Sequence, residues 1–121
     1  NNWDKNSGIH HFGIMDYKGT VGLNVNMNKA QRLETYASLP NHAMVINGYF
    51  EKNDKIQRWK IENSWGTKSG NKGNLMMTSS WFDDYVFQIV VKKDLLNDDE
   101  KEILTREPKI IQPWDPLGTL A

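Results

Sequence analysis

The chain has 121 residues, a formal net charge of zero, five tryptophans and no cysteine. This length allows one domain with a moderate core, and the neutral charge argues against a protein whose main task is to bind nucleic-acid phosphates. The absence of cysteine excludes disulfides, and no apolar run approaches the ~20 residues that are needed to cross a bilayer.

Residues 1–22 are rich in turn formers and show little periodicity, so we expect a solvent-exposed loop. This polar opening has no start methionine, and we expect it to lie inside a longer sequence. His10, His11 and Asp16 resemble a metal cluster, but adjacent histidines point opposite ways in an extended chain. No metal and no other cofactor is therefore predicted.

A short strand and a helix are predicted next. Val21–Val25 has the composition of a strand. Asn28 and Gln31 form a capping-box pattern, which predicts a helix over Lys29–Tyr36. Three residues of this region are expected to face the body of the protein: Ala30, Leu33 and Ala37.

The stretch from His42 to Gly66 predicts a β-hairpin. Its second arm alternates between two sides, with one row formed by Trp59, Ile61, Asn63 and Trp65 and the other by Arg58, Lys60, Glu62 and Ser64. The first arm is apolar on both sides, so strand pairing has to fix the register.

Two registers of this hairpin are considered. One pairs Lys60 with Ile46 and sets a charge against the apolar row. The other pairs Trp59 with Ile46 and sets apolar residues against each other, so this register is preferred. The preferred register places His42 directly opposite Asn63 on the same face, with Cβ atoms about 5 Å apart.

A histidine and an asparagine in this arrangement form the base and the orienting group of a nucleophilic site. The side-chain oxygen of Asn63 accepts a hydrogen bond from one ring N–H of His42, which leaves the other ring nitrogen for proton transfer. Trp65, farther along the same face, is expected to shield this hydrogen bond from water. Taken one at a time, such residues are more often a satisfied polar residue and a turn former.

Four further elements are predicted after the hairpin. Residues 66–73 are read as a long turn rather than a phosphate loop, because no Gly-Lys-Ser/Thr triplet opens a helix. A third strand follows at Asn74–Thr78, and Ser80 is expected to cap a short helix. Tyr85–Lys92 is apolar on nearly both faces, which predicts a central strand.

The last part of the chain is predicted to hold one helix and an arm. Asn97 and Glu100 form a second capping box, which predicts a helix over Asp98–Arg106 that Pro108 closes. Residues 110–121 contain two prolines and no periodicity, yet they are too apolar for a disordered tail. We therefore expect an extended arm.

Several of these segments resemble papain-like cysteine peptidases. The motifs that carry the resemblance are His42-Ala43-Met44 and Glu62-Asn63-Ser64-Trp65-Gly66. The end of the chain is similar to the C-terminus of the bleomycin hydrolase and aminopeptidase C branch of that family, in the segments Arg106-Glu107-Pro108 and Pro113-Trp114-Asp115-Pro116-Leu117-Gly118 and in the terminal Ala121.

The resemblance implies an α+β fold class. It corresponds to the antiparallel barrel-like half of a papain-like fold, with short helices and an extended C-terminal arm. Residues 1–107 are expected to form the β-rich part of the peptidase domain, and residues 108–121 are expected to form the arm.

The resemblance also implies a cysteine aminopeptidase that acts on peptides with a free amino end. His42 and Asn63 would be catalytic, Trp65 would support them, and the carboxylate of Ala121 would anchor the substrate's amino terminus. The nucleophilic cysteine is expected in an N-terminal part outside this chain, so the chain alone is expected to be inactive.

The resemblance implies a cytoplasmic homohexamer. No membrane partner is expected. Some relatives of the branch bind nucleic acid, but the neutral charge and the lack of a basic run argue against that partner here. The alternative is a non-catalytic binding or assembly module that keeps the same fold.

Overall fold

A computed structural model describes residues 3–4, 6–11, 13–24 and 27–115 of the chain. The strands are β1 (Trp3–Asp4), β2 (Ile9–His10), β3 (Val45–Lys52), β4 (Lys55–Glu62) and β5 (Asn74–Thr78). The helices are α1 (Tyr17–Val21), α2 (Lys29–Glu34), α3 (Ser79–Tyr85) and α4 (Asp98–Ile103), with a short 3-10 helix at Lys93–Leu95.

The strands form one sheet in the order β1-β2-β5-β4-β3. The predicted α+β class is confirmed, although β2 and β5 run parallel while the other neighbouring strands run antiparallel. Among the described residues, no helix combines the length and the apolar character that a membrane crossing requires.

The hairpin of β3 and β4 turns at Asn53 and Asp54, whose φ angles of 54° and 56° lie in the left-handed region. Asn and Asp tolerate this region better than most residues, and two such residues in succession are typical of the tight turn whose twist matches its strands. The turn pairs Lys52 with Lys55 and thereby sets the register of the hairpin. The predicted hairpin is confirmed.

The predicted register of this hairpin is wrong. Ile46 pairs with Ile61 rather than with Trp59, which is a shift of two residues. Between the turn and Ile46 the pairing skips Gln57 in β4 and then Asn47 in β3, so two irregularities of opposite sense cancel. Side-chain character could not select the register because β3 is apolar on both sides, whereas the turn fixes the pairing directly.

The core lies on one face of β4 and β5. Ile61, Leu75 and Met77 are buried there, and partly buried side chains pack against them: Met44, Trp59, Trp81, Phe82 and Val86. Of the four residues predicted to share one side of the second arm, Ile61 and Asn63 are buried and Trp59 is half-buried, whereas Trp65 is 48% exposed. Glu62, which belongs to the other row, is exposed.

The predicted turn between β4 and β5 is confirmed, and β5 has the predicted bounds. A glycine is required at Gly70, because its φ is 57° and a Cβ atom there would overlap the carbonyl oxygen of Asn74. The turn also reaches back to the end of β4, where the carbonyl of Gly73 accepts the N–H of Asn63 at 3.3 Å. The turn therefore helps to hold Asn63 in place.

The amino-terminal region holds more regular structure than predicted. His10 lies in β2 and is only 8% exposed, instead of lying in a solvent-exposed loop, because β2 pairs with the distant β5. The strand predicted at Val21–Val25 is wrong at its start, since Val21 ends α1, which Asp16 caps; residues 25 and 26 lie outside the described residues. Within the described ranges, no group of three His, Asp or Glu side chains could hold a metal ion.

Both predicted capping boxes are confirmed. Asn28 and Gln31 bond reciprocally at the start of α2, and Asn97 and Glu100 do so at the start of α4. Each helix ends earlier than predicted, α2 by two residues and α4 by three. Each capping box joins residues only three positions apart, so it can be predicted from the sequence alone.

The strand predicted at Tyr85–Lys92 is wrong. Its first residue ends α3, and residues 86–92 have no regular secondary structure, with Val90 91% exposed. An apolar segment of this kind needs a strand on each edge, and the described part of the chain provides none. The cap of α3 is also corrected, because Thr78 rather than Ser80 accepts the N–H at its start.

Arg32 is the buried residue of α2, whereas the residues predicted to face inward are exposed or half-buried: Ala30, Leu33 and Ala37. The guanidinium of Arg32 forms an ion pair with Asp84 at 2.7 Å and donates to the carbonyl oxygen of Asp84 at 2.9 Å. It also lies over the ring of Tyr85 at 4.5 Å. Arg32 therefore fastens α2 to the end of α3.

Arg32→Met is expected to lower the free energy of unfolding by about 2 kcal/mol, because the half-buried carboxylate and the carbonyl oxygen of Asp84 lose their donor. Arg106→Met is the matched control, because the ion pair of Arg106 with Glu102 at 3.2 Å is exposed and contributes at most about 1 kcal/mol. Urea unfolding of both variants measures the difference. Equal losses of stability would contradict the bracing role of Arg32.

Candidate active site

The structure brings His42 and Asn63 together at the open end of the hairpin. His42 lies three residues before the start of β3, and Asn63 directly follows β4. The Nε2 atom of His42 lies 2.9 Å from the Oδ1 atom of Asn63, which is a hydrogen-bonding distance. The predicted contact is present, although it forms in a different register.

The contact survives the change of register because the shift is two residues. Side chains alternate between faces, so a shift of two keeps His42 and Asn63 on one face, whereas a shift of one would separate them. When the pairing of Ile46 with Ile61 is extended outward, His42 falls opposite Trp65 and diagonal to Asn63. The rings of His42 and Trp65 are indeed stacked, with centroids 5.3 Å apart and planes inclined by 25°.

The two ends of the hydrogen bond differ in exposure. Asn63 is 7% exposed, whereas His42 is exposed and Trp65 is 48% exposed. Trp65 therefore covers one face of the imidazole without enclosing it. The asparagine end is protected from water, and the histidine remains open to a reacting group.

The side-chain amide of Asn63 has a defined orientation. Its Oδ1 atom accepts the backbone N–H of Ser64 at 2.8 Å. A backbone N–H can only donate, so the atom at this position is the amide oxygen and not the amide nitrogen. The Nε2 atom of His42 consequently carries the proton that Oδ1 accepts. The Nδ1 atom of His42 is left as the proton-accepting nitrogen.

A second imidazole, that of His10, lies within electrostatic reach of His42. Its ring meets the ring of Trp81 edge-on, with centroids 4.7 Å apart. Burial lowers the pKa of His10 to about 4, and the charge of His42 acts in the same direction. His10 is therefore neutral at neutral pH. Sequence reasoning missed its burial because a two-residue strand gives no periodic signal.

The stability of the chain is expected to fall as the pH decreases from 6.5 to about 4. The unfolded chain protonates His10 near pH 6.5, whereas the folded chain protonates it only near pH 4. The contribution of His10 to the free energy of unfolding is complete above pH 6.5. About 3 kcal/mol of this stability is lost as the pH falls from 6.5 to about 4.

His10→Phe removes this titration and keeps a ring against Trp81, so its free energy of unfolding should depend less on pH within the window. His11→Phe is the matched control, because His11 is exposed and its replacement should leave the pH dependence in place. Urea unfolding at both ends of the window measures the effect. The same pH dependence in His10→Phe as in the unmodified chain would contradict the explanation.

The site can supply the base of a nucleophilic reaction. An imidazole with one nitrogen bonded to a fixed acceptor presents its other nitrogen in a defined direction to a nucleophile. The chain contains no cysteine, so a thiol nucleophile has to come from another polypeptide segment. Ala121, the predicted anchor of the substrate's amino terminus, lies outside the described residues.

A histidine base oriented by an asparagine defines the base half of an acyl-transfer site. Comparison with known proteins agrees with this class. The model of the Peptidase C1-like family matches residues 1–118. The chain belongs to this family.

Individual relatives agree with the family. Aminopeptidase C of Streptococcus thermophilus is 40% identical over 119 residues, which cover 98% of this chain and 27% of that protein. Bleomycin hydrolase of Gallus gallus is 42% identical over 118 residues, which cover 94% of this chain and 26% of that protein. The predicted resemblance to this branch is confirmed.

A solved structure shows the same fold. The crystal structure of pepw from Lactobacillus rhamnosis HN001 matches with a TM-score of 0.87 and 36% identity, covering 95% of this chain and 26% of that one. The chain thus spans about a quarter of the length of these relatives.

Proposed function

We propose that this chain is the C-terminal part of a cysteine aminopeptidase and supplies the histidine and asparagine of its catalytic triad. One observation carries the proposal: the amide oxygen of Asn63, fixed by the N–H of Ser64, lies 2.9 Å from Nε2 of His42. Family membership and relatives named aminopeptidase C and bleomycin hydrolase support it. The cysteine would lie in an N-terminal part outside this chain.

The proposed reaction transfers an acyl group from the peptide to a thiolate. The Nδ1 atom of His42 takes the thiol proton, and the thiolate attacks the carbonyl carbon of the first peptide bond. His42 returns the proton to the leaving amine as the C–N bond breaks, and a thioester remains. Water then gives a proton to His42 and attacks the thioester carbon, which releases the amino acid and restores the thiol.

Asn63 and His10 both support the charged form of His42 in this proposal. The imidazolium donates to Oδ1 of Asn63 throughout the cycle, so the ring keeps one orientation and its positive charge has a fixed acceptor. A neutral His10 adds no second positive charge beside the imidazolium. The thiolate–imidazolium pair would therefore be favoured at neutral pH.

The proposed substrates are peptides with a free amino end, from which one residue is removed at a time. The carboxylate of Ala121 would pair with the substrate's ammonium, and the arm of residues 108–121 would exclude longer peptides. Such a charge pair is strong where little water is present. The homohexamer, the cytoplasmic location and the division of the chain at residue 107 stay predictions.

The second candidate is a non-catalytic binding or assembly module with the same fold. It is favoured by exposed apolar side chains that suit contact with another polypeptide: Ile89, Val90, Val91, Ile110 and Trp114. The isolated chain is expected to show no peptidase turnover under either proposal, so the longer parent protein has to be tested.

His42→Ala in the full-length parent protein is expected to lower kcat for an aminoacyl amide by at least about 100-fold, because proton transfer to and from the thiol is lost. His11→Ala is the matched control, because His11 is exposed and bonds to Thr78 rather than to Asn63. Release of the amine product measures turnover.

Two results of this experiment are decisive. Turnover retained in His42→Ala would show that the base lies elsewhere. No turnover in the unmodified parent protein would favour the binding module.

A further inference from the structure

Asn47 and Gly48 are neighbours in β3, yet they face the same side of the sheet. The side chain of Asn47 donates to Glu62, which is exposed on the face opposite the core. A Cβ atom at Gly48 would lie 3.5 Å from the Cβ atom of Lys60, which shares that face with Glu62. Successive residues of a regular strand face opposite sides, so the strand has a β-bulge at Asn47.

The bulge at Asn47 reverses the facing of the residues that precede it in β3. After the bulge, Tyr49 pairs with Trp59, which packs against the core. Before the bulge, Ile46 pairs with the buried Ile61 on the same face. Residues three positions apart in a regular strand lie on opposite faces, so only the extra residue, Asn47, allows Ile46 and Tyr49 to share one.

The reversal extends to His42. Met44 packs against the core, and His42, two residues earlier, lies on the same face and reaches Asn63. Without the bulge, both side chains would turn to the opposite face, and Ala43 and Val45 would turn inward instead. These two residues are also apolar, so side-chain character does not decide between the two facings.

The side chain of Asn47 is bonded to two strands at once. Its Nδ2 atom donates to Oε2 of Glu62 in β4 at 3.3 Å and to Oδ1 of Asn74 in β5 at 3.2 Å. An ionised carboxylate can only accept, which identifies the donating atom as the amide nitrogen. The amide of Asn74 is oriented in turn, because its own Nδ2 atom donates to the carbonyls of Asn71 and Lys72. Asn47 thus joins β3 to both β4 and β5.

These outer bonds and the candidate active site lie on opposite faces at the same end of the sheet. Glu62, which accepts from Asn47, directly precedes Asn63. Asn74, the second acceptor, directly follows Gly73, whose carbonyl accepts the N–H of Asn63. The same two chain segments therefore hold Asn47 on one face and Asn63 on the other.

We propose that Asn47 is a positioning residue for His42, whose side chain holds the bulge that turns the imidazole to the face of Asn63. Bulges beside functional sites are known to re-aim side chains in this way. The inference rests on the proposed function only for its effect on turnover, because the contact of His42 with Asn63 can be measured on the chain itself. Two exposed hydrogen bonds should shift the balance between the two facings by about tenfold.

Asn47→Val and removal of Asn47 give opposite expectations. Valine favours regular pairing, and the strand then carries one residue too many to keep His42 on the core face. Removal of Asn47 also gives regular pairing, but it takes out the extra residue and keeps Ile46 opposite Ile61. The substitution should therefore displace the imidazole, whereas the deletion should leave it in place.

Two measurements follow the imidazole. In the chain, the rings of His42 and Trp65 are 5.3 Å apart, and the nuclear Overhauser contact between them should weaken in Asn47→Val and persist in the deletion. Nitrogen-15 spectra of His42 should show mixed tautomers in Asn47→Val alone. In the full-length parent protein, kcat for an aminoacyl amide should fall about tenfold in Asn47→Val and stay within about twofold in the deletion, with KM unchanged in both. Any other order of the two variants would overturn the inference.

Asn47→Asp guards against a substitution that merely unfolds the chain. Aspartate keeps the size of the side chain but has no N–H to donate, and its carboxylate faces that of Glu62. The methyl resonances of Leu75, which is buried in the core, show whether the fold is intact. A contact of full strength between His42 and Trp65 in Asn47→Asp would overturn the inference.

Lys52→Val is the matched control. Lys52 is exposed at the other end of β3 and pairs with Lys55 beside the turn. The change to valine there leaves the bulge at Asn47 in place, so the ring contact and kcat should match those of the unmodified protein. An equal loss in Lys52→Val would overturn the specific role of Asn47.

The two measurements also separate this inference from the proposed function. If the ring contact follows the expected order while the unmodified parent protein shows no turnover, the positioning role of Asn47 stands and the proposed function fails. If Asn47→Val keeps the ring contact while His42→Ala abolishes turnover, the positioning role fails and the proposed function stands.

Discussion

At the open end of the hairpin, one carboxamide oxygen accepts two N–H groups, and the chemistry proposed for the site depends on that pair of bonds. The bond from Ser64 at 2.8 Å determines which atom of the Asn63 amide faces His42. The bond with His42 at 2.9 Å then determines which ring nitrogen carries the proton. An exposed histidine without a fixed partner would exchange between tautomers and ring orientations. The backbone N–H of Ser64 can only donate a hydrogen bond, so it fixes the orientation of the Asn63 amide. This orientation in turn determines which nitrogen of His42 acts as the base.

The sheet supplies the burial that makes this arrangement firm. Asn63 lies two residues after Ile61, a core residue that is 1% exposed. The N–H of Asn63 donates to the carbonyl of Gly73 in the turn that leads to β5. Hydrogen bonds strengthen where water is excluded, so the buried asparagine orients the exposed histidine more firmly than two exposed residues could. The neutral His10 adds no competing charge. Rigidity thus comes from the strands, and accessibility comes from the loop that carries His42.

Local patterns in the sequence predicted most of the helices and strands. The features that were predicted wrongly depend on pairing between strands that are distant in sequence. Alternation along β4 and the capping box at Asn28 involve residues a few positions apart, so the sequence alone contains them. The register of the hairpin depends on a tight turn and two skipped residues, and the sequence pattern did not predict it. The predicted register differs from the observed one by two residues, and such a shift keeps each side chain on the same face of the sheet. The contact of His42 with Asn63 was therefore predicted correctly. His10 and residues 86–92 were predicted wrongly for one reason. His10 is buried because its strand pairs with β5, which is distant in sequence, and residues 86–92 are exposed because no described strand pairs with them.

Nitrogen-15 NMR of the histidine rings tests the central claim most directly, because it reports which nitrogen of His42 carries the proton. The chain should be measured at a pH where the ring is neutral, with Asn63→Ala as the comparison. The account predicts the Nε2–H tautomer of His42 in the unmodified chain and a mixture of tautomers in Asn63→Ala. A predominant Nδ1–H tautomer in the unmodified chain would contradict it.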